Sequence, residues 1–239
     1  LLLIARPAAG KSETIYYLKH LEPQERLQRF HILPFEEIDD FPMLWTWFEE
    51  DNLLERMGYP RLHTDADGYF IGKHLWDLLI ERICLDYQKR LRDQPDYHSQ
   101  HTTIVEFARG SEHGGFCSAF EHLSPTLLDN LAVLYIQVSW EESLRKNRKR
   151  FDPLRPDSIL QHGLSDQKME RLYKENDWAE LSRADPEYLS IQGRKISYAV
   201  LENEDDVTSQ GGEVLGRRME ETLNLLWERA IRENNLKLS

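Results

Sequence analysis

The chain is poor in cysteine and has no long apolar run. Only two of its 239 residues are cysteines, Cys84 and Cys117, which excludes a disulfide framework and favours a reducing setting. No run of apolar residues approaches the roughly 20 that a membrane span needs. The apolar opening at residues 1–4 is too short for the core of a signal peptide. These absences predict a cytoplasmic protein with no membrane partner.

Basic charge is also scarce. The chain has 30 basic and 42 acidic side chains, which gives a formal net charge of −12. A field of that sign repels polyanions and argues against a nucleic-acid partner, although a local basic cluster can still hold a small anionic ligand. Hydrophobic residues make up 40% and charged residues 30%, which is typical of a globular protein. The length predicts a single domain over residues 1–239.

Short apolar runs separated by helical patterns indicate the fold class. Five runs predict buried strands, the last of them weaker: 1–5, 102–107, 131–138, 196–201 and 30–33. They lack a clean alternation of apolar and polar residues, as expected of strands covered on both faces. Strands that alternate with amphipathic helices predict an α/β domain with a mostly parallel, five-stranded sheet.

Two long connections interrupt this alternation. The stretch 34–72 is rich in aromatic residues and is predicted to be irregular. The stretch 139–187 predicts two charged helices, with a break at Pro153 and Pro156. We interpret both stretches as excursions from one sheet. Connections of this length often carry function.

The segment from Ala5 to Ser12, which joins the first strand to a helix, is the most informative one. It has the pattern G-x-x-x-x-G-K-[ST] of a phosphate-binding loop, except that Ala5 replaces the first glycine. Small residues let backbone N–H groups close around phosphate oxygens, and the positive end of the helix faces the anion. Lys11 is expected to reach the β- and γ-phosphates, and Ser12 to ligate Mg²⁺. The predicted nucleotide-binding residues are Arg6, Pro7, Ala8, Ala9, Gly10, Lys11, Ser12 and Glu13.

An acid and an arginine follow the apolar part of the strand at 102–107. Ligands of open α/β sheets lie at the carboxyl ends of the strands, so Glu106 and Arg109 should face the same crevice as Lys11. Glu106 is expected to hold a Mg²⁺-bound water or to accept a proton from an acceptor hydroxyl. Arg109 is expected to bind a substrate phosphate. A structural ion pair is the alternative for these two residues.

A basic cluster follows the strand at 131–138. Arg145 and Arg148 are the stronger candidates in it, and Arg150 is the weaker one. Such a cluster can clamp phosphates and balance the charge of a transferring phosphoryl group. A solvated helix face is an equally weighted alternative.

Two further features are weighed against plain structural roles. The glycines beside His113 permit a close approach to a ligand, and His113 is a candidate hydrogen-bonding partner of an acceptor; a simple connection is equally weighted. Trp45, Trp47 and Phe48 are suited to stacking on a base, but core packing is favoured for them.

The Ala5–Ser12 segment, the strand end Glu106-x-x-Arg109 and the arginine-rich helix together resemble the nucleoside and nucleotide kinase group of P-loop proteins. The resemblance implies a three-layer fold, a five-stranded parallel sheet, a helical lid over 139–187, and ATP with Mg²⁺ as the phosphoryl donor. It also implies an acidic base near the end of the second strand, for which Asp39 and Asp40 are the candidates. The alternative is that these residues form a solvated acidic turn with no catalytic role. The catalytic residues implied are Lys11, Glu106, Arg109, Arg145, Arg148 and Asp39, and the metal-binding residues are Ser12 and Glu106.

The expected activity is therefore transfer of the γ-phosphoryl group of ATP to a small hydroxyl- or phosphate-bearing acceptor, with nucleosides and nucleotides among the candidates. The alternative is a nucleotide-binding regulatory ATPase or GTPase-like switch without a small-molecule acceptor, whose long loops contact a protein. The expected partners are a nucleoside triphosphate and a small-molecule acceptor, and a homodimer stays open.

Overall fold

The structure is a computed structural model that describes residues 1–150 and 163–238. Its strands are β1 Leu2–Ala5, β2 Phe35–Asp39, β3 Thr102–Phe107, β4 Val133–Gln137, β5 Tyr188–Ile191 and β6 Arg194–Glu202. Its helices are α1 Lys11–Lys19, α2 Pro23–Phe30, α3 Phe41–Arg56, α4 His74–Asp93, α5 Tyr97–Gln100, α6 Gly115–Glu121, α7 Pro125–Leu128, α8 Trp140–Arg150, α9 Asp166–Tyr173, α10 Trp178–Leu181, α11 Val207–Gln210 and α12 Gly212–Leu238. A 3₁₀ turn spans Ser111–His113.

The strands form one sheet in the order β2-β3-β1-β4-β6-β5. Every neighbouring pair is parallel except β5 and β6, which form an antiparallel hairpin. The prediction of an α/β fold with a mostly parallel sheet is confirmed. The prediction of five strands is wrong, because the sheet has six. The additional strand is β5, a four-residue edge strand that returns through Gln192 and Gly193, both with positive φ, as a two-residue hairpin turn requires.

The position of β2 also differs from the prediction. The apolar run at 30–33 is not a strand, because Phe30 ends α2 and His31 adopts a left-handed conformation with φ 58°. The strand instead begins after Pro34, at the edge of the sheet, where a proline without an N–H is tolerated. The stretch 34–72, predicted to be irregular, contains β2 and the 16-residue helix α3, which has Pro42 in its first turn.

Helices cover both faces of the sheet and produce three layers. Successive residues of a strand point to opposite faces, so Leu2 and Ile4 pack on one side while Leu3 and Ala5 pack on the other. The first side is closed by apolar residues of α4 and α6, namely Ile80, Ile83, Phe116 and Phe120. The second is closed by residues of α1, α2 and α12, namely Ile15, Leu18, Phe30, Leu215 and Met219.

The sequence predicts charged helices and a break between them in the connection at 139–187. Helices α8, α9 and α10 lie within it, and the predicted break at Pro153 and Pro156 falls outside the described residues.

Among the residues that the structure describes, no helix combines the length and apolar character needed to cross a membrane.

Candidate functional site

The turn between β1 and α1 has the geometry of an anion-binding loop. Ala5 is fully buried within β1 and pairs with Ile136, and its φ is not positive, so this strand position does not require a glycine. Ala8 and Gly10 adopt positive φ, 56° and 112°, and turn the chain into α1. At Gly10 a Cβ atom would lie 2.4 Å from the hydroxyl of Thr208, which only glycine avoids.

The first turn of α1 leaves its backbone donors free. The first helical hydrogen bond runs from the N–H of Thr14 to the carbonyl of Gly10, and Gly10 provides no side-chain cap. Within residues 1–150 and 163–238, the N–H groups of Gly10, Lys11 and Ser12 have no acceptor. Lys11 and Ser12 line a cavity of about 890 Å³, which we call the loop cavity. Free donors at a helix N-terminus beside a lysine suit a phosphate group.

Three neighbouring elements hold the loop in place. The side-chain amide of Asn203, at the end of β6, donates to the carbonyl of Ala9 over 2.7 Å. The hydroxyl of Ser143 in α8 donates to the carbonyl of Pro7 over 2.7 Å. Arg6 points away from the loop cavity and donates to two carbonyls at the end of α9, at 2.5 and 2.7 Å. These contacts fix the backbone without using its free N–H groups.

Of the eight predicted nucleotide-binding residues, Pro7, Ala8, Lys11, Ser12 and Glu13 line the loop cavity. The remaining three, Arg6, Ala9 and Gly10, support the turn from behind: Arg6 bonds to α9, Ala9 is fully buried, and Gly10 packs against Thr208.

Two carboxylates face Lys11 across the loop cavity. Asp39 and Glu106 end or nearly end adjacent parallel strands and are register partners in the sheet. Burial, together with nearby Glu106 and Asp40, raises the pKa of Asp39 to about 8. Burial also raises the pKa of Glu106, although Lys11 acts in the opposite direction. Burial and the neighbouring carboxylates therefore favour the protonated forms of these two acids in the ligand-free protein.

This donor set fits a magnesium ion that is shared with a phosphate ligand. In the described part of the chain, no three His, Cys, Asp or Glu side chains are arranged to hold a metal alone. Magnesium bound to nucleotide phosphates takes most of its oxygens from phosphate and water, and needs only one or two protein ligands. Ser12 and Glu106 both line the loop cavity and carry side-chain oxygens.

Arg109 is committed to a buried ion pair. Its guanidinium lies 2.6 Å from Asp40, and both side chains are almost fully buried. It also donates to the carbonyls of Ala108 and Trp76 and lies over the Trp76 ring, 5.1 Å from its centroid. Arg109 lines the loop cavity, but its charge is balanced by Asp40. Among the residues that the structure describes, no cation forms an ion pair with Asp39, the other candidate base.

The arginine of α8 that lines the loop cavity is Arg150, and not Arg145 or Arg148, the stronger candidates from the sequence. Arg145 pairs with Glu142 and Asp206, and Arg148 pairs with Asp166. Neither lines the loop cavity, whereas Arg150 lines it.

The position of Arg150 follows from the periodicity of α8. Arg150 pairs with Glu13 at 2.5 Å and lies on the same helix face as Ser143 and Asn147, four and three residues apart. The small polar residues Ser143 and Asn147 are buried, and they are the signal in the sequence that marks the face of α8 turned toward the loop.

A second cavity of about 830 Å³, which we call the aromatic cavity, adjoins the loop cavity. Four residues line both of them: Leu44, Trp76, Leu164 and Tyr173. Trp45 and Phe48 also line the aromatic cavity, while Trp47 stacks on His63 with ring centroids 5.0 Å apart. Sequence reasoning missed Lys73, Lys168 and Arg171 in this cavity, because Lys73 precedes α4, the other two lie in α9, and the three form no motif.

No protein-family model matches the chain, and no curated protein matches it. Fold class alone does not determine function, so the chemistry of the two cavities is the basis for inferring one.

Proposed function

We propose that the protein is an ATP- and Mg²⁺-dependent phosphotransferase that moves the γ-phosphoryl group of ATP to a small-molecule acceptor. The observation that carries the proposal is the pair of adjoining cavities. One contains the free N–H groups of the loop, Lys11 and the carboxyl groups of Asp39 and Glu106, and the other is aromatic and large enough for a metabolite. A nucleotide switch needs only the first cavity. The second one favours a transferase over a switch.

In this proposal the loop binds the donor. The N–H groups of Lys11 and Ser12 donate to phosphate oxygens, and the Lys11 ammonium balances their charge. Ser12 and Glu106 would hold Mg²⁺, which neutralises phosphate charge and favours departure of ADP. Because the loop is fixed by Asn203 and Ser143, its donors need little rearrangement when the phosphate binds.

Asp39 is the proposed base. Its carboxylate accepts the proton of the acceptor hydroxyl while the hydroxyl oxygen bonds to the γ-phosphorus. The bond from that phosphorus to the bridging oxygen breaks, and ADP leaves. A carboxyl with a raised pKa is a stronger base than an exposed one, and the nearby Lys11 favours its ionised form. Arg109 contributes by holding Asp40, and Arg150 is the cation of α8 that lies beside the donor.

An acceptor screen tests this proposal. The protein is incubated with ATP, Mg²⁺ and pools of nucleosides, nucleotides, sugars and small organic acids, and products are examined by mass spectrometry. We expect one pool to yield a compound that has gained a phosphoryl group, with ADP formed in equal amount. Chelation of Mg²⁺ should stop the reaction. ADP formation that no pool accelerates would contradict the transferase and favour a regulatory ATPase.

A further inference from the structure

The aromatic cavity is rich in positive charge in a chain whose net charge is −12. Four cationic and two acidic side chains line it: Arg56, Lys73, Lys168, Arg171, Glu49 and Glu112. Glu112 is paired with Arg171 at 2.9 Å, and Glu49 accepts a hydrogen bond from the indole of Trp45. No carboxylate in residues 1–150 or 163–238 forms an ion pair with Arg56, Lys73 or Lys168. The lining of the cavity therefore carries net positive charge, which nearby Asp65 and Asp67 partly offset at Lys168.

Two contacts hold the ammonium of Lys168 in place. Its ammonium donates to the carbonyl of Gly68 over 3.2 Å and lies 5.3 Å from the centroid of the Tyr69 ring. The side chain is half-buried, and burial lowers the pKa of Lys168 although Asp65 and Asp67 act in the opposite direction. Since a partly desolvated ammonium gains most from a nearby anion, Lys168 is suited to bind one.

His113 provides an independent sign of a ligand. It lines the aromatic cavity, is only 4% exposed, and stacks on Trp76 with ring centroids 3.8 Å apart. Neither of its ring nitrogens has a hydrogen-bonding partner in the described structure. Burial, with Arg109, Arg171 and Lys73 nearby, lowers the pKa of His113 to about 3, so the ring is neutral. A neutral imidazole offers one donor and one acceptor, and leaving both unpaired in a buried position is costly.

The remaining walls are flat and apolar. Phe48, Tyr69, Phe70 and Trp76 line the aromatic cavity, and Phe70 contacts Trp76 edge-on with centroids 4.8 Å apart. Aromatic walls bury the face of a ring with a favourable stacking contribution. The aromatic cavity thus has three features: flat apolar walls, a buried imidazole without a hydrogen-bonding partner, and a cationic side.

We propose that the aromatic cavity binds a planar ring that carries an anionic group, with the anion near Lys73 and Lys168 and a polar atom of the ligand bonded to His113. The inference rests on the proposed function in one respect, since it makes this molecule the phosphoryl acceptor. Carboxylate and phosphate supply the same charge, so the test has an arm for each.

Matched pairs of probes test the inference by calorimetric titration of the full chain. One arm compares uridine 5′-monophosphate with uridine, and the other compares 4-hydroxybenzoate with 4-hydroxybenzyl alcohol. In at least one arm the anionic member should bind about tenfold more tightly than its neutral partner. Lys73→Met and Lys168→Met should each lower the affinity for the anionic member at least about threefold and leave the neutral member unchanged. Lys195→Met is the matched control, because Lys195 lies in β6 and lines neither cavity.

His113→Phe separates the polar contact from packing, because phenylalanine preserves the stack on Trp76 and lacks both nitrogens. We expect it to weaken both members of the binding pair to a similar degree, about fivefold to tenfold. Equal affinity for charged and neutral members, no effect of either lysine variant, or no binding of any of the four probes would overturn the inference.

A second measurement on the same preparations, the stabilisation of the protein by ATP with Mg²⁺, separates failure of this inference from failure of the proposed function. If ATP with Mg²⁺ stabilises the protein while the paired probes show no charge preference, only the inference about the acceptor is wrong. If ATP with Mg²⁺ gives no stabilisation, the proposed function is wrong, whatever the aromatic cavity binds.

Discussion

Lys11 is the side chain on which the proposed activity depends most directly. Its ammonium is the cation of α1 that lines the loop cavity, opposite Asp39 and Glu106. Replacing it with methionine keeps the length of the side chain and removes the charge. We expect Lys11→Met to lower kcat by about 10²- to 10³-fold, because electrostatic stabilisation of the transferring group is lost.

Steady-state rates with the acceptor found in the screen measure this effect. Lys19→Met is the matched control, because Lys19 lies on the same helix, is half-exposed and pairs with Glu37 outside the loop cavity. Full turnover by Lys11→Met would remove Lys11 from the proposed mechanism.

Asp39 should make the ligand-free protein less stable at high pH. Its pKa is about 8 in the folded protein and near 3.8 without the fold, so folding favours the protonated form. The stabilisation is complete below about pH 4 and is lost as the pH rises through about 8. Asp39→Asn stays neutral, so at pH 9 it should be more stable than the parent by about 1–3 kcal/mol.

Urea unfolding between pH 5 and pH 9 tests this difference. Asp86→Asn is the control, because the pKa of Asp86 is shifted in the opposite direction to that of Asp39. Burial alone would raise the pKa of Asp86, but Lys89 and Arg82 lower it overall, so its removal should not stabilise the protein at high pH. A parent protein that gains stability relative to Asp39→Asn on going from pH 5 to pH 9 would contradict the prediction.

At the scale of elements, the strands that the sequence pattern predicts are those buried on both faces. The runs that became β1, β3, β4 and β6 are continuous and apolar because helices cover both sides of them. The edge strand β2 begins after Pro34 and carries Glu36 and Glu37, and β5 is only four residues long. A short or half-exposed edge strand has no such run, so its position cannot be predicted in this way.

The same reasoning applies to the site. Lys11, Ser12 and Glu106 could be placed from the sequence, because the first two begin the helix after the loop that follows β1, and Glu106 lies near the end of β3. The aromatic cavity could not, because its lining comes from α3, α4, α9 and the connections between them. Only tertiary packing brings Lys73 and Lys168 to the same space.

The junction of β6 and α11 supports the loop through one buried side chain. Asn203 is fully buried, donates to Ala9 and Thr208, and accepts from the N–H of Thr208. Asn203→Ala removes these bonds and leaves the loop carbonyl unpaired, at a cost of about 1–3 kcal/mol. We expect the loop to lose its fixed conformation, and the affinity for ATP with Mg²⁺ to fall about tenfold.

Thermal unfolding and calorimetry together measure both consequences. Asn224→Ala is the matched control, because Asn224 lies on α12, bonds to His31 at the end of α2, and lines neither cavity. It should lower stability without changing nucleotide affinity. Unchanged affinity in Asn203→Ala would show that the loop holds its conformation without this side chain.

At the scale of the whole molecule, strand order explains why the two cavities lie together. The chain passes from β1 outward to β2, returns to β3 beside β1, and then continues on the other side with β4 and β6. The loop after β1 thus lies where the direction of winding reverses, which is where open α/β sheets bind ligands. Helices α3 and α4, which connect β2 to β3, close the aromatic cavity on the same edge.

The contacts of the loop predict how ligand binding spreads through the molecule. Ser143 and the pair of Arg150 with Glu13 attach α8 to the loop, while Arg6 attaches it to the end of α9. A ligand that stabilises the loop should therefore stabilise both helices. We expect saturating ATP with Mg²⁺ to slow amide hydrogen exchange about tenfold in α8 and α9, and to leave β5 unchanged.

Arg6→Ala separates the two attachments, because it cuts the contact with α9 and leaves the contacts with α8 intact. Exchange monitored by mass spectrometry should then show ligand protection in α8 and little in α9. The loop N–H groups do not involve the Arg6 side chain, so ATP should still bind to this variant. Equal protection of α9 in the parent and in Arg6→Ala would mean that ligand binding reaches α9 by another route, such as the residues that line both cavities.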